Sequence, residues 1–232
     1  MGEVIVGRTS VLVKAAGHPV RMTPIRYHPD QAALIGAAQL APSWMFRGSD
    51  AMLAVDIGGS NIRAGLVELR LEVASDLSMC KVREFDLWRH ADEPRRPTRE
   101  ETVGRIVAML ENLVALAAQR GFELVPMIGV ACPGNIADDG SILSGAQNLP
   151  GDWESRDFNL RAELEAGLPV IGGHATKVVL HNDAVVQGLC EAPFMRDVER
   201  WGVLTIGTGL GNARFTNLQA PTHDARRAVE AR

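Results

Sequence analysis

Three short stretches of this chain gather residue types that handle phosphate and protons. In "LAVDIGGSNIRAGLVE", residues 53–68, an apolar run stops at Asp56, passes Gly58, Gly59, Ser60 and Asn61, and resumes. As one core strand it is poorly built, because two glycines weaken it and a carboxylate would point inward. As two strands joined by a tight turn it is coherent, since glycine accepts the positive φ such turns require. The turn then presents main-chain N–H groups beside an acid. Amides can cradle an anion, and the acid can hold a divalent cation such as Mg2+ or its waters. "VLTIGTGLGN", residues 203–212, repeats the pattern with Gly207, Thr208, Gly209 and Gly211, the threonine adding a hydroxyl. Neither turn fits the Walker pattern or a GxGxxG opening a helix, because a strand follows the glycines both times. In "VVLHNDAVVQG", residues 178–188, a strand ending in Asn182 and Asp183 passes directly into a helix. Asp183 there is either a helix cap or a general base near a substrate hydroxyl, with Asn182 bonding the same ligand. Asn135 in "CPGNI" and Asn148 in "AQNLPGDW" are further polar groups on loops after apolar strands, or simple turn residues.

These groups need a scaffold, and the flanking patterns describe one. Residues 52–57 and 62–69 read as the two strands, and "KVREFDLW" supplies a third by alternation. "TREETVGRIVAMLENLVALAAQRG" is a helix opened by a Thr98–Glu101 capping box. Val103, Ile106, Val107, Leu110, Leu113, Val114 and Ala117 make its apolar stripe, and Gly121 ends it. "LVPMIGVACPG" is a buried strand entering a Pro-Gly turn, and "NLRAELEAGL" a short helix. "HPDQAALIGAAQLAP" reads as a helix from about Gln31 to Leu40, capped by Asp30. Its small residues Ala33, Leu34, Ala37, Ala38 and Ala41 form a narrow stripe suited to close packing. Residues 3–6 and 11–13 are apolar runs without a period. Strands mixed with helices over this length indicate an α/β protein. The two glycine hairpins are the one internal echo, and they suggest two similar half-sites.

Composition narrows the class. A hydrophobic content of 46% with 22% charged residues is ordinary for a soluble globular protein. A net charge of −4 with no basic stripe argues against a nucleic-acid surface. Cys80, Cys132 and Cys190 are far apart and form neither a CxxC pair nor a zinc spacing, so they read as reduced core thiols. No apolar run is long enough to span a bilayer, and the expected location is cytoplasmic.

The motifs Asp-x-Gly-Gly-Ser, Pro-Gly-Asn, Asn-Leu-Pro-Gly-x-Trp, Asn-Asp-Ala and Gly-Thr-Gly-x-Gly follow one another in that order. The matching stretches cover most of residues 52–212, and the ordered set resembles the ROK family of bacterial sugar kinases and repressors. That resemblance implies an α/β, actin-like (RNase H-like) ATPase fold with the nucleotide between two lobes. It also implies transfer of the ATP γ-phosphate to a hexose or amino-sugar hydroxyl. By resemblance, Asp183 matches the catalytic base and Asn182 its sugar-binding neighbour. Asp56, with Mg2+ in view, and Gly58, Gly59, Ser60 and Asn61 match the first phosphate loop. Gly207, Thr208, Gly209 and Gly211 match the second. Gly134, Asn135 and Asn148 fall in sugar-lining segments. The alternative is a non-catalytic relative that binds a sugar or acts in regulation. A repressor is disfavoured, because nothing before residue 50 resembles a helix-turn-helix with basic flanks.

Kinases of this family continue through a second sugar clamp, often a zinc-binding cysteine cluster, and a glycine motif for adenosine. Here "NLQAPTHDARRAVEAR" follows the second turn. The expectation is therefore a complete first lobe at 51–197, the start of a second lobe and a tail at 198–232, no zinc, and ATP binding that is weak or absent. Besides the sugar, a homo-oligomer or a second chain completing the second lobe is left open as partner. "PDQAALIGAAQLA" resembles the stretch that closes a ROK chain, and "EVIVG" is weakly similar to its adenosine-motif strand. Residues 1–50 then read as a ROK-like tail placed ahead of the first lobe, from a tandem fusion, a partial permutation or chance similarity. On that reading its helix docks on the first lobe with Ala37 and Ala38 buried.

Overall fold

The computed structural model describes residues 2–18 and 20–218. The strand–turn–strand pattern folds as expected: β1 (Ala51–Ile57) and β2 (Ile62–Glu68) pair antiparallel, and β3 (Lys81–Trp88) extends the meander beyond β2. On the other side of β1, β4 (Leu124–Cys132) joins in parallel, and β9 (Lys177–Asn182) joins β4 the same way. The sheet order is β3-β2-β1-β4-β9. Every residue of β1 is buried, which is why its sequence is apolar from Ala51 to Val55 rather than alternating, with Asp56 the one charged residue near its end. Leu53, Val55 and Ile57 face one core, while Met52 and Ala54 face the other. Two small hairpins, β5 (Asn135–Ile136) with β6 (Ile142–Ser144) and β7 (Val170–Ile171) with β8 (His174–Ala175), ornament the chain between β4 and β9. The last pair, β10 (Arg200–Ile206) and β11 (Leu210–Thr216), forms a separate two-stranded sheet.

Helix α3 (Arg99–Gln119) covers the first core. Its capping box is present, with Thr98 Oγ1 accepting from the Glu101 N–H at 3.2 Å and Glu101 Oε2 accepting from the Thr98 N–H at 2.8 Å. Helix α4 (Leu160–Gly167), capped by Asn159, packs beside it. The second core is covered by α2 (Pro29–Ala37), which continues as a 3-10 turn through Leu40. Ala37 and Ala38 are both buried, as expected.

Two expectations for α2 need correcting. The cap is His28, whose Nδ1 accepts from the Asp30 N–H at 3.3 Å, and Asp30 lies in the first turn. The buried surface is not a narrow stripe either, since every residue from Ala32 to Ala38 is buried. The sheet lies under one side of α2 and α5 (Asp183–Leu189) crosses the other. A Cβ on Gly36 would lie 1.8 Å from the Val186 carbonyl oxygen, so the two helices meet backbone to backbone. The boundary drawn at residue 50 thus passes through one packed core.

Helix α1 (Gly2–Ala15) takes in both aperiodic runs and stands where the resemblance of "EVIVG" implied a strand, and most of it is exposed. Its β-branched content and lack of a buried face hid the helix. The three cysteines are buried and free. No helix among the described residues is long and apolar enough to cross a membrane. Most of the expected tail, residues 219–232, lies outside the described residues.

Candidate active site

Three neighbouring parallel strands end side by side: Asp56 of β1 pairs in register with Ala131 of β4, and Cys132 of β4 with Asn182 of β9. Crevices beyond the carboxyl ends of such strands are where α/β sheets bind ligands. Asp183 follows directly as the first residue of α5. The helix-cap reading of Asp183 is corrected, because Asn182 is the cap: its Oδ1 accepts from the N–H groups of Ala184 (3.0 Å) and Val185 (3.4 Å). Asn182 Nδ2 donates to the Gly134 carbonyl at 2.9 Å, which leaves one amide hydrogen for a ligand. Gly134 sits at φ +109°, and a Cβ there would lie 2.5 Å from the Ser144 carbonyl oxygen, so only glycine fits. The next residue, Asn135, is exposed in the β5–β6 hairpin.

Asp56 is 5% exposed and meets Arg63 of β2, whose Nη1 donates to Asp56 Oδ2 at 3.2 Å. Burial pushes the Asp56 carboxyl up to about 6, Arg63 opposes the rise, and Asp183 nearby adds to it. Burial also raises Asp183, against the Ala184 N–H that donates to its Oδ1 at 2.9 Å. Two carboxylates at one strand-end crevice are thus held above the ordinary range, the condition a general base at neutral pH requires.

The two glycine turns meet. Ser60 Oγ and Thr208 Oγ1 are 2.8 Å apart, and the Gly59 Cβ position lies 3.5 Å from Thr208 Cγ2. Gly211 rests beside the first turn of α5, where its Cβ would lie 3.2 Å from Ala184 Cβ. Both turns close alike, the Gly58 N–H donating to the Asn61 carbonyl (2.8 Å) and the Gly207 N–H to the Gly209 carbonyl (2.9 Å). The N–H groups of Gly59, Ser60, Thr208 and Gly209 have no hydrogen-bond partner among the described residues. The positive φ expected of these glycines is absent: none of Gly58, Gly59, Gly207 and Gly209 lies in the left-handed region. At Gly59 the requirement is space, because a Cβ would press on Asn148 Cβ at 3.1 Å. Gly207 and Gly209 have nothing within 4 Å of their Cβ positions and line an open face.

Asn148 belongs to this turn cluster and not to the strand-end cluster. Its loop is pinned by buried Trp153, whose Nε1 donates to the Pro150 carbonyl at 2.6 Å, and by Arg96 Nη2 on the Leu149 carbonyl at 2.6 Å. Gly59, His90, Glu93, Arg96, Asn148 and Thr208 are among the residues lining an open cavity of about 370 Å³. His90, Glu93 and Arg96 are not among the residues the sequence singles out: "ADEPRRPT", residues 91–98, reads only as a proline-punctuated loop, and His90 precedes it. The signal that could have flagged it is a cluster of titratable residues ahead of a strong helix cap.

Among the described residues no group of three His, Cys, Asp or Glu could hold a metal ion unaided. Magnesium with a nucleotide needs only one or two carboxylates, since water and phosphate oxygens complete its shell. Asp56 fits that lesser demand, because its Oδ1 has no hydrogen-bond partner among the described residues.

No curated protein matches the chain. Solved structures do. An inorganic polyphosphate/ATP-glucomannokinase from Arthrobacter sp. strain KM matches with TM-score 0.53 and 26% identity, over 75% of this chain and 66% of that one. A ROK family transcriptional regulator, a homolog of the E. coli MLC protein, matches with TM-score 0.52 and 17% identity, over 72% of this chain and 37% of that one. The ROK hexokinase from Thermus thermophilus matches with TM-score 0.47 and 20% identity, over 72% and 47%. The chain spans about half the length of sugar kinases such as the Thermus enzyme. The sheet order and the Arthrobacter and MLC-like neighbours identify the actin-like ATPase fold of the ROK family. The sequence model of the ROK family matches residues 52–222, which takes in both glycine turns and Asp183, and the chain belongs to the ROK family.

Proposed function

We propose that this chain carries the phosphoryl-transfer site of a sugar kinase, which phosphorylates a hexose or amino-sugar hydroxyl at the expense of ATP. The observation that carries the reading is the meeting of the two glycine turns through Ser60 and Thr208, a strand-end away from Asp183. Phosphoryl transfer asks for positioning and charge stabilisation more than for covalent help. The N–H groups of Gly59, Ser60, Thr208 and Gly209, unpaired among the described residues, lie in two turns that touch through Ser60 and Thr208 and would receive phosphate oxygens, with Asn61, Gly58, Gly207 and Gly211 shaping the turns. Asp183, as general base, would take the proton of the attacking hydroxyl. Asn182 would orient that hydroxyl with its remaining amide hydrogen, Gly134 and Asn135 would line the sugar at the strand ends, and Asn148 would line it from the side of the glycine turns. Mg2+, held by Asp56 directly or through water, would supply charge neutralisation at the transferring phosphate.

The Arthrobacter neighbour, a polyphosphate/ATP-glucomannokinase, supports a hexose acceptor and makes polyphosphate a second donor to assay. We infer a cytoplasmic setting, with a homo-oligomer or a second chain as the protein partner to test. Asp183→Asn should lower kcat about 10²–10⁴-fold while sugar affinity changes less, since the amide keeps the hydrogen-bonding shape. Sugar-dependent ADP release from the wild type and the variant checks this. Equal turnover would leave Asp183 a structural residue. Sugar binding without turnover in the wild type would favour the non-catalytic, regulatory relative.

A further inference from the structure

The kinase reading uses Asp56 and Asp183 but leaves the residues behind them without a role. Arg63 lies one step past the first turn, across the β1–β2 ladder from Asp56. Its guanidinium forks: Nη1 reaches Asp56 Oδ2 at 3.2 Å, and Nη2 reaches Asp30 Oδ1, in the first turn of α2, at 2.6 Å. Arg63 Nε is buried with no partner, so two acids and not a full hydrogen-bond set decide where the group sits. Helix α2 in turn is locked in place. Besides the backbone contact of Gly36 with α5, Gly65 of β2 admits Leu34, whose Cδ1 would lie 2.7 Å from a Cβ. Gly129 of β4 admits Ala37, whose Cβ would lie 2.8 Å from one.

We propose that Arg63 is a positioning residue of the site, that it holds the Asp56 carboxylate from a point fixed by Asp30, and that α2 is thereby part of the site's machinery. The proposal rests on the kinase reading for what Asp56 does, but not for how Asp56 is held. An arginine flanked by two acids is drawn toward both, so its fork keeps one orientation only while both are present. Asp56 Oδ2 is then used by Arg63, and Oδ1 is left for a cation or its water. The same helix backs α5, which begins at Asp183. One element, encoded ahead of the first turn, therefore supports both carboxylates.

The test is a double-mutant cycle on the full chain, read by thermal unfolding at pH 7. Arg63→Met should lower Tm by roughly 5–15 °C, because it leaves Asp56 buried without its cation. Adding Asp56→Asn should recover most of that loss, and should raise Tm more in the Arg63→Met background than in the wild type. If Arg63→Met fails to fold and the double variant folds, the recovery is shown in its strongest form. Equal effects of Asp56→Asn in both backgrounds, or no folded double variant, would reduce Arg63 to packing and overturn the proposal. The second reading is ADP affinity by calorimetry with and without Mg2+. Asp30→Asn should weaken the Mg2+-dependent gain about tenfold and leave metal-free ADP affinity unchanged, as removal of an outer support does. An unchanged gain would overturn the role of α2. A wild type that binds no ADP contradicts the kinase reading alone, and the unfolding cycle then decides the place of Arg63 by itself.

Discussion

The two glycine hairpins share a plan and differ in surroundings. Each has two seven-residue strands paired antiparallel in unbroken register, and each closes its turn through the first glycine's N–H. The first is enclosed: β3 and β4 flank it, α3 lies on one face and α2 on the other. The second has one face on α5 and, among the described residues, nothing over the other, with Leu204, Ile206 and Leu210 exposed at 61%, 70% and 71%. Local sequence therefore sets the hairpin, while tertiary cover sets how firmly it is held. The first turn is a fixed half-site, gripped by Asn148 and by the Arg63 fork. The second is a half-site with few contacts to resist displacement when a ligand arrives.

Removing the cover should erase this difference. Ala37 lies beneath the sheet against Gly129, so Ala37→Glu combines overpacking with a buried charge. It should destabilise the chain by about 5 kcal/mol or more, enough to leave little folded protein in urea titrations. Unaltered unfolding would mean that α2 is an appendage.

Equivalent truncations on the two hairpins should sharpen the contrast. Leu53→Ala in β1 should cost about 2–5 kcal/mol through the cavity it leaves, while Ile206→Ala in β10 should stay within roughly 0.5 kcal/mol. Similar losses at both positions would show that the second hairpin is covered in solution by something absent from the fold described.

The strand ends add a pH-dependent asymmetry. The Asp56 carboxyl titrates higher in the fold than in the unfolded chain, so its contribution to stability is complete below about pH 4. That contribution is lost as pH rises through about 6, and above it the ionised, buried group costs on the order of 3 kcal/mol. Asp56→Asn should therefore stabilise the chain at pH 8 and change little at pH 4. The reverse trend would mean that Arg63 outweighs burial at this site.

Much of the first half-site was legible. Continuous apolar strands, a capping box at Thr98 and the polar ends at Asp56 and Asn182-Asp183 are local signals, and they folded where the pattern put them. The contacts between elements were not legible. Nothing in "GGSNIR" says that Gly59 is small because Asn148 presses on it, or that Arg63 reaches back to a helix 33 residues earlier. His90 and Arg96 were hidden because loop residues acquire roles only when a fold brings another loop beside them. Helix α1 was missed because its residues are apolar without a period and bury no face, so periodicity had nothing to report.

The central claim is that two differently held turns and Asp183 serve one ligand. The most direct measurement is a titration of the 15N-labelled chain with MgADP into the millimolar range, followed by amide chemical shifts. The account predicts that Gly59, Ser60, Thr208 and Gly209 shift together, along with Ala184 next to Asp183, on one binding curve. Shifts confined to one turn, or two curves with separate affinities, would contradict it.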